Sequence, residues 1–164
     1  MVKRTVVIPL AALALAAALW FHKEGHRHEL YLFHPMAVHF PIALLTTGWV
    51  ICALGRRAEW LPNAASWMLW VGTTAAWAAL GLGLLAERTA PHVPPAWRTL
   101  NLHETLAYWT VGSFTALSLW RWRRENWRPR LFLLAWAAAC AVLLATAYQG
   151  GELVFTHGMG VSAE

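Results

Sequence analysis

LFHPMAVHFPIALLTTGWVICAL, residues 32–54, is the stretch that decides the fold. It contains no Asp, Glu, Lys or Arg, and its length lies in the range of about 17–25 apolar residues that a membrane-spanning helix needs. It also carries two histidines, His34 and His39, each close to a proline. Because ionisable side chains are costly inside a bilayer and tend to mark functional positions, the stretch predicts a membrane helix whose first turns belong to a functional site.

The composition is typical of an integral membrane protein. Of the 164 residues, 59% are hydrophobic and only 13% are charged, a balance that soluble domains rarely show. The formal net charge of +5 comes from basic residues that lie between apolar runs, so it indicates topology and argues against a nucleic-acid partner. Many of the 12 tryptophans lie at the ends of those runs, as an interfacial belt requires. The predicted surroundings are a lipid bilayer.

Five apolar runs follow one another along the chain, each close to spanning length. They are Thr5–Phe21, Pro35–Leu54, Ala64–Ala86, His103–Trp120 and Leu131–Tyr148. The first run has the basic start, short apolar core and small residues of a secretory signal. We interpret it as an uncleaved signal anchor, with cleavage after one of residues 16–18 as the alternative.

The fold expected from these runs is an all-α integral membrane protein. Residues 1–33 form a signal-anchor helix and a His-containing outer loop. Residues 34–164 form an antiparallel four-helix transmembrane bundle with an outer C-terminal tail, because their connections are short.

The basic residues predict the orientation. With the N-terminus inside, the inner segments hold nine of the 13 Lys and Arg residues but only two acidic ones, whereas the outer segments hold four basic and six acidic residues. The nine are Lys3, Arg4, Arg56, Arg57, Arg121, Arg123, Arg124, Arg128 and Arg130. This asymmetry follows the positive-inside rule and places the C-terminus outside.

All eight histidines fall on the outer side in this topology. They are His22, His26, His28, His34, His39, His92, His103 and His157. Because the topology rests on Lys and Arg alone, this clustering is an independent observation. It predicts a histidine-based site at the outer face of the membrane.

His39 and His103 are the predicted central pair of that site. His39 lies one turn inside the helix that starts at Pro35, and His103 opens the fourth run, so the two helices point the same way across the bundle. Pro41 removes a backbone bond to Ala37, and the resulting bend is expected to turn His39 toward the core. Two imidazoles that face each other at similar depth suit a bis-histidine haem.

His34 and His157 are the predicted second pair. His34 immediately precedes the second run, and His157 lies in the tail QGGELVFTHGMGVSAE. Gly150 and Gly151 are expected to stop the last helix, after which the tail returns His157 to the cavity. The pair would bind a second haem or contact the propionates of the first.

The residues around this site are expected to leave room for a flat ring. The third run is rich in small residues, which indicate either close helix packing or space for a macrocycle. These residues are Gly72, Ala75, Ala76, Ala79, Gly81 and Gly83. Trp77, Tyr108 and Trp109 are expected to wall the site.

Three features of the chain carry a resemblance: HPMAVHFPIALL, the helix-opening His103, and GGELVFTHGMGV. Together they resemble the bacterial membrane proteins grouped as domain of unknown function 2231. The resemblance covers about residues 33–161. It implies four transmembrane helices, electron-transfer neighbours of the cytochrome c or Rieske type, and a b-type haem. The family pattern falls on His34, Pro35, His39, Pro41, His103, Gly150, Gly151, Glu152, His157 and Gly158.

Three functions agree with these features. The first is a b-type cytochrome-like electron-transfer protein with one or two haems at the periplasmic face of a bacterial inner membrane. The second is a copper or zinc site built from His34, His39, His103 and His157, with Met36 or Met159 as a soft ligand. The third is a cofactor-free structural subunit of a membrane complex.

The sequence contains no nucleophile motif and no phosphate-binding glycine loop, so an electron-transfer subunit is favoured over a stand-alone enzyme. The expected partners are a periplasmic cytochrome c or a membrane redox complex. Glu104 and Glu152, which lie close to histidines in the chain, would relay protons if a quinol were oxidised at the outer face.

Overall fold

A computed structural model describes residues 32–55, 60–89, 93–123 and 129–159. Within these ranges the chain is helical and contains no strand, which confirms the all-α prediction there. The helices are α1 (Phe33–Ala37), α2 (His39–Leu54), α3 (Leu61–Thr89), α4 (Trp97–Arg123) and α5 (Pro129–Phe155), with a 3-10 turn at Pro94–Ala96. The predicted signal anchor and the outer loop that follows it lie outside the described residues.

A proline divides the first membrane segment into two helices. α1 ends at Ala37 and α2 begins at His39, with a turn at Val38 between them. Pro41 has no N–H to donate to the carbonyl of Ala37, so the helical ladder is interrupted there. The bond from Val38 N–H to His34 O, 3.2 Å long, keeps the chain helical across the turn.

Glycines let α2 and α3 pack closely against each other. A Cβ placed on Gly72 of α3 would lie 2.7 Å from Leu45 Cδ2, and one on Gly48 of α2 would lie 3.0 Å from Met68 Cβ. Small residues at such contacts are the usual means of helix association in membranes. Leu45 of α2 contacts Gly72 of α3, whereas Gly48, which lies later in α2, contacts Met68, which lies earlier in α3. The two helices therefore run antiparallel and form a hairpin.

α4 and α5 form a second hairpin, held by polar as well as apolar contacts. The buried hydroxyls of Thr110 and Thr146 are 2.9 Å apart, and Thr146 also donates to Val142 O at 2.8 Å. At the other end of the hairpin the rings of Trp120 and Phe132 meet edge to face, with centroids 5.5 Å apart. Hydroxyl bonds between helices help to hold such pairs in lipid.

Hydrogen bonds connect the two hairpins where α2 meets α5. The indole N–H of Trp136 donates to Leu45 O at 3.1 Å, and that of Trp49 donates to Leu133 O at 3.1 Å. Both acceptors are backbone carbonyls within helices, and a carbonyl oxygen can accept two hydrogen bonds. Each indole therefore bonds to a carbonyl of the other hairpin without displacing a helical hydrogen bond.

A second set of bonds connects α3 to α4. The hydroxyls of Thr73 and Ser118 are 2.9 Å apart, and the Arg121 Nε donates to Ser66 Oγ at 2.8 Å. Packing within each hairpin is nevertheless more extensive than packing between the hairpins.

The core lies where all four long helices meet. Its largest fully buried side chains are Leu45 of α2, Leu69 of α3, Phe114 of α4, and Phe132 and Trp136 of α5. They belong to one contiguous cluster of buried residues. Because helices associate in lipid mainly through van der Waals packing and interhelical hydrogen bonds, this cluster fixes how the two hairpins face each other.

Three segments of the described chain are long and apolar enough to cross a membrane: Phe33–Leu54, Leu61–Thr89 and Arg130–Phe155. Large apolar side chains are also exposed along the outer surfaces of the helices, among them Trp77, Trp109, Leu134, Leu144 and Tyr148. A surface of this kind would promote aggregation in water, whereas it suits contact with lipid. α4 has spanning length, but its Thr, Ser, Gly, Trp and Tyr residues make it less apolar than the others.

The last helix ends later than the sequence predicts. Gly150 and Gly151 were expected to stop it, but α5 continues through both to Phe155. The stop is at Gly158, which has a positive φ of 67° and is followed by a bond of 2.8 Å from Met159 N–H to Leu153 O. Glycine in the left-handed conformation is a common helix end, so the prediction had the right residue type at the wrong position.

The close approach at Gly72 predicts a stability difference between two identical substitutions in α3. Gly72→Ala should lower the free energy of unfolding by about 1–3 kcal/mol, because the added methyl overpacks the core against Leu45. Gly81→Ala should be neutral or stabilising by up to about 1 kcal/mol, since a Cβ at Gly81 meets no atom within 4 Å. Denaturant unfolding in detergent micelles measures both, and equal effects would contradict the described packing.

Candidate functional site

His34 is held against α3 by its position in the first turn of α1. Its Nδ1 lies 3.0 Å from Ala79 O, and a Cβ placed on Gly83 would lie 2.9 Å from the ring atom Cε1. Pro35 is tolerated next to it because the first backbone N–H groups of a helix have no partner in the helix. The ring therefore rests on a glycine, and it is bonded to the carbonyl one turn before that glycine.

His103 is held against α5 in the same manner. Its Nδ1 lies 2.9 Å from Thr146 O, and a Cβ placed on Gly150 would lie 3.1 Å from its Cε1. The acceptor again lies four residues before the glycine. Each hairpin thus carries one imidazole in an equivalent setting.

The two imidazoles meet at the boundary between the hairpins. Their ring centroids are 6.1 Å apart, and their planes are inclined at 81°. Both rings are half-buried. The structure therefore forms a histidine pair, His34 and His103, near the starts of α1 and α4.

The hydrogen bonds determine which ring nitrogen carries the proton. A backbone carbonyl only accepts, so Nδ1 must be the donor in both rings. In a neutral imidazole the other nitrogen, Nε2, then keeps its lone pair. A histidine that donates one N–H to a carbonyl and presents the other nitrogen is the arrangement of metal-ligating histidines. The pair offers two such nitrogens, one from each hairpin.

His39 does not take part in this contact. The bend at Pro41 was expected to turn His39 toward the core, but His39 is exposed and Pro41 is buried. Residues two apart on a helix of 3.6 residues per turn lie on nearly opposite faces, so burial of Pro41 turns His39 outward. The histidine that contacts His103 is His34. It lies seven residues, or about two helical turns, before Pro41, so His34 and Pro41 share one face of the segment.

His157 lies in the turns that follow α5 and is half-buried. Its backbone N–H donates to Glu152 O at 3.3 Å. The ring that lies next to His34 is that of His103, where the sequence predicted His157. Glu104, one of the two acidic residues expected to relay protons, accepts a hydrogen bond of 3.0 Å from the Tyr108 hydroxyl.

The aromatic residues expected to wall the site face outward instead. Trp77 is 54% exposed, Tyr108 48% and Trp109 69%. The contacts established for the pair are with backbone and glycine: the carbonyls of Ala79 and Thr146, and Gly83 and Gly150, which lie against the rings.

Of the four histidines proposed for copper or zinc, the structure brings together two, His34 and His103, in the part of the chain that it describes. No group of three or more His, Cys, Asp or Glu residues there is placed to hold a metal ion. Met36, a proposed soft ligand, is 66% exposed. His22, His26, His28 and His92 lie outside the described residues.

Sequence reasoning missed the acceptors and the supporting glycines of the pair. A signal was present, because both glycines follow their histidines at nearly the same distance along the chain. The acceptors are backbone carbonyls, which any residue supplies, so no residue type marks Ala79 or Thr146.

The described residues are helical, include three apolar segments of spanning length and have a lipid-compatible surface, which together are typical of an α-helical integral membrane protein. The chain belongs to the family described as predicted membrane protein DUF2231, whose sequence profile matches residues 32–163. The match confirms the resemblance seen in the sequence. Neither a curated protein nor a solved structure matches the chain.

The geometry predicts the tautomers of both histidines in the protein without added haem. Nitrogen NMR of the chain labelled with ¹⁵N-histidine, in detergent micelles, should show Nδ1 protonated and Nε2 unprotonated at His34 and His103. Gly83→Ala should shift the signals of His34, and Gly150→Ala those of His103, because each methyl presses on one ring. Gly81→Ala is the control and should shift neither. Protonation at Nε2 of either ring would contradict the described hydrogen bonds.

Proposed function

We propose that the protein is a b-type cytochrome-like electron-transfer protein that holds haem between its two hairpins, with His34 and His103 as the axial ligands. The observation that carries this proposal is the histidine pair itself. Imidazoles from two hairpins approach to 6.1 Å, and each commits Nδ1 to a carbonyl and leaves Nε2 for a ligand. The pair replaces the combination of His39 and His103 suggested by the sequence.

The donor set fits a haem iron. Imidazole nitrogens are ligands of haem iron, and the pair would supply two of them from rings whose centroids are 6.1 Å apart. Ligands that come from facing helices of a bundle are a common means of cofactor binding. His34 and His103 would therefore hold the iron between the two hairpins.

The boundary between the hairpins supports the choice of a flat cofactor. Packing across it is less extensive than packing within either hairpin. Gly83 lies against the His34 ring and Gly150 against the His103 ring, and both glycines occupy little volume. A planar ring could enter here while each hairpin keeps its own packing.

A haem at this site would supply a one-electron carrier. The protein contributes the orientation of the ligands, because the bonds to Ala79 O and Thr146 O fix both rings. Donation from Nδ1 to an acceptor also raises the basicity of Nε2. The acceptors belong to α3 and α5 and the histidines to α1 and α4, so four helices take part in positioning the pair.

The membrane arrangement that accompanies this function is an antiparallel bundle of four transmembrane helices. α4 is 27 residues long, and it packs against α3 and α5, which supports its insertion beside the three more apolar segments. The distribution of basic residues favours an inner N-terminus and an outer C-terminus. In a bacterial inner membrane this puts the histidine pair at the periplasmic face.

The site lies close to the ends of helices, which favours exchange of electrons with a partner at that surface. His34 is the second residue of α1, and His103 is in the second turn of α4. A periplasmic cytochrome c or a membrane redox complex fits this position, and quinol is a further candidate donor. We therefore propose an electron-transfer subunit instead of a stand-alone enzyme.

Histidine variants test the proposed ligands. Haemin titrated into the purified full chain should bind at least about tenfold more weakly to His34→Ala and to His103→Ala. This tenfold loss of haemin affinity is a lower bound, because loss of a residue that only hydrogen-bonds to a metal ligand typically costs 10–100-fold in metal affinity. Visible absorbance at each haemin concentration gives the affinity and the number of haems per chain, which should be one.

His39→Ala is the matched control, since His39 is exposed and lies on the same segment as His34. It should bind haemin as the unmodified protein does. Weaker binding in His39→Ala together with full binding in His34→Ala would restore the pair suggested by the sequence. Full binding in both His34→Ala and His103→Ala would remove the proposed ligands.

A further inference from the structure

A cleft lies at the end of the helices opposite to the histidine pair. Its volume is about 600 Å³, within the range of about 300–1,000 Å³ typical of ligand pockets. Cys52 lines it from the end of α2, Ser66 from the start of α3, Arg121 from the end of α4 and Arg130 from the start of α5. All four long helices therefore contribute to the cleft.

The floor of the cleft is aromatic. Phe132 and Trp136 line it and are almost fully buried, and their rings pack edge to face with centroids 5.7 Å apart. Leu134 also lines the cleft and is exposed on the outer surface. The apolar lining thus continues from the floor to the surface that faces lipid.

The polar part of the cleft consists of two arginines and a serine. Arg121 Nε donates to Ser66 Oγ at 2.8 Å, and Ser66 donates to Pro62 O at 2.7 Å, so the Arg121 guanidinium is fixed against the wall. Arg130 is exposed at the rim. No acidic side chain is present among the described residues that line the cleft, so this lining is positively charged.

The cleft also lies at the level of a membrane interface. It is formed at the ends of two spanning segments, Phe33–Leu54 and Arg130–Phe155. Arginines at the ends of membrane helices place their charges among the lipid headgroups. In the topology predicted from the sequence this is the cytoplasmic side, where anionic lipids attract basic residues.

From this combination we infer that the cleft binds one anionic phospholipid. The lipid phosphate lies between the guanidinium groups of Arg121 and Arg130, which form charge-assisted hydrogen bonds to phosphate oxygens. An acyl chain lies against Phe132 and leaves the cleft past Leu134. The positive lining favours a headgroup without a cation of its own. This site is separate from the histidine pair and does not depend on haem.

Native mass spectrometry of the full chain tests the lipid preference. The protein is released from detergent that contains equal amounts of phosphatidylglycerol and phosphatidylcholine with the same acyl chains. The unmodified protein should retain one phosphatidylglycerol in preference. Arg130→Gln and Arg121→Gln should each reduce that preference about fivefold, the equivalent of about 1 kcal/mol per basic residue near an anionic surface.

Thiol labelling shows where the lipid binds. Cys52 lines the cleft, whereas Cys140 is buried in the core. Phosphatidylglycerol should slow the reaction of Cys52 with a maleimide, and phosphatidylcholine should not. Retention of phosphatidylglycerol without protection of Cys52 would place the lipid elsewhere and overturn the inference.

Arg98→Gln is the matched control, because Arg98 is an exposed arginine at the opposite end of α4. It should leave the preference unchanged. Equal retention of both lipids by the unmodified protein would overturn the inference, as would a preference that survives Arg130→Gln, a change at an exposed side chain that leaves the core intact. Protection of Cys52 by inorganic phosphate alone would indicate a site for a soluble phosphate ester instead of a lipid.

Discussion

Each histidine of the pair is held by one hydrogen bond, from Nδ1–H to a backbone carbonyl one turn before a glycine. The bond fixes the tautomer and leaves Nε2 as the only nitrogen with a lone pair. The glycine is needed because any larger residue would displace the ring, as the 2.9 Å and 3.1 Å approaches at Gly83 and Gly150 show. The rest of the site depends on this arrangement, since it brings the imidazoles of two separate hairpins to 6.1 Å from each other.

The two hairpins match each other residue by residue. His34, Pro41 and Leu45 of the first segment correspond to His103, Thr110 and Phe114 of α4 at one constant offset along the chain. Buried positions of α3 and α5 also correspond at a constant offset, which is slightly different from the first: Ala65 to Phe132, Leu69 to Trp136, Ala76 to Leu143 and Ala79 to Thr146. Side-chain identity differs at nearly every position, so no repeat is visible in the sequence, whereas the pattern of burial repeats. The histidine pair lies where the two copies of this pattern meet.

The sequence was sufficient to predict the helical segments, because apolar runs of spanning length are a strong signal. It also predicted a histidine-based site, since histidine is rare inside apolar sequence. It paired His39 with His103, whereas in the structure the histidine next to His103 is His34. That choice depended on which face Pro41 occupies, and a bend was assumed where the structure buries the proline and exposes His39. Gly150 was misinterpreted as a helix stop because glycine often ends helices, whereas here it makes room for a ring.

We propose that this histidine pair holds a haem, and the visible spectrum of the purified, unmodified protein is the first measurement to make. The protein should be produced with ample haem and recorded first oxidised and then reduced with dithionite. If the pair holds a haem, the spectrum should show a Soret band that shifts on reduction and a sharp α band, as a low-spin iron with two imidazole ligands gives. A featureless spectrum in both states would contradict haem binding, and metal analysis of the same sample would then separate a copper or zinc protein from a structural subunit.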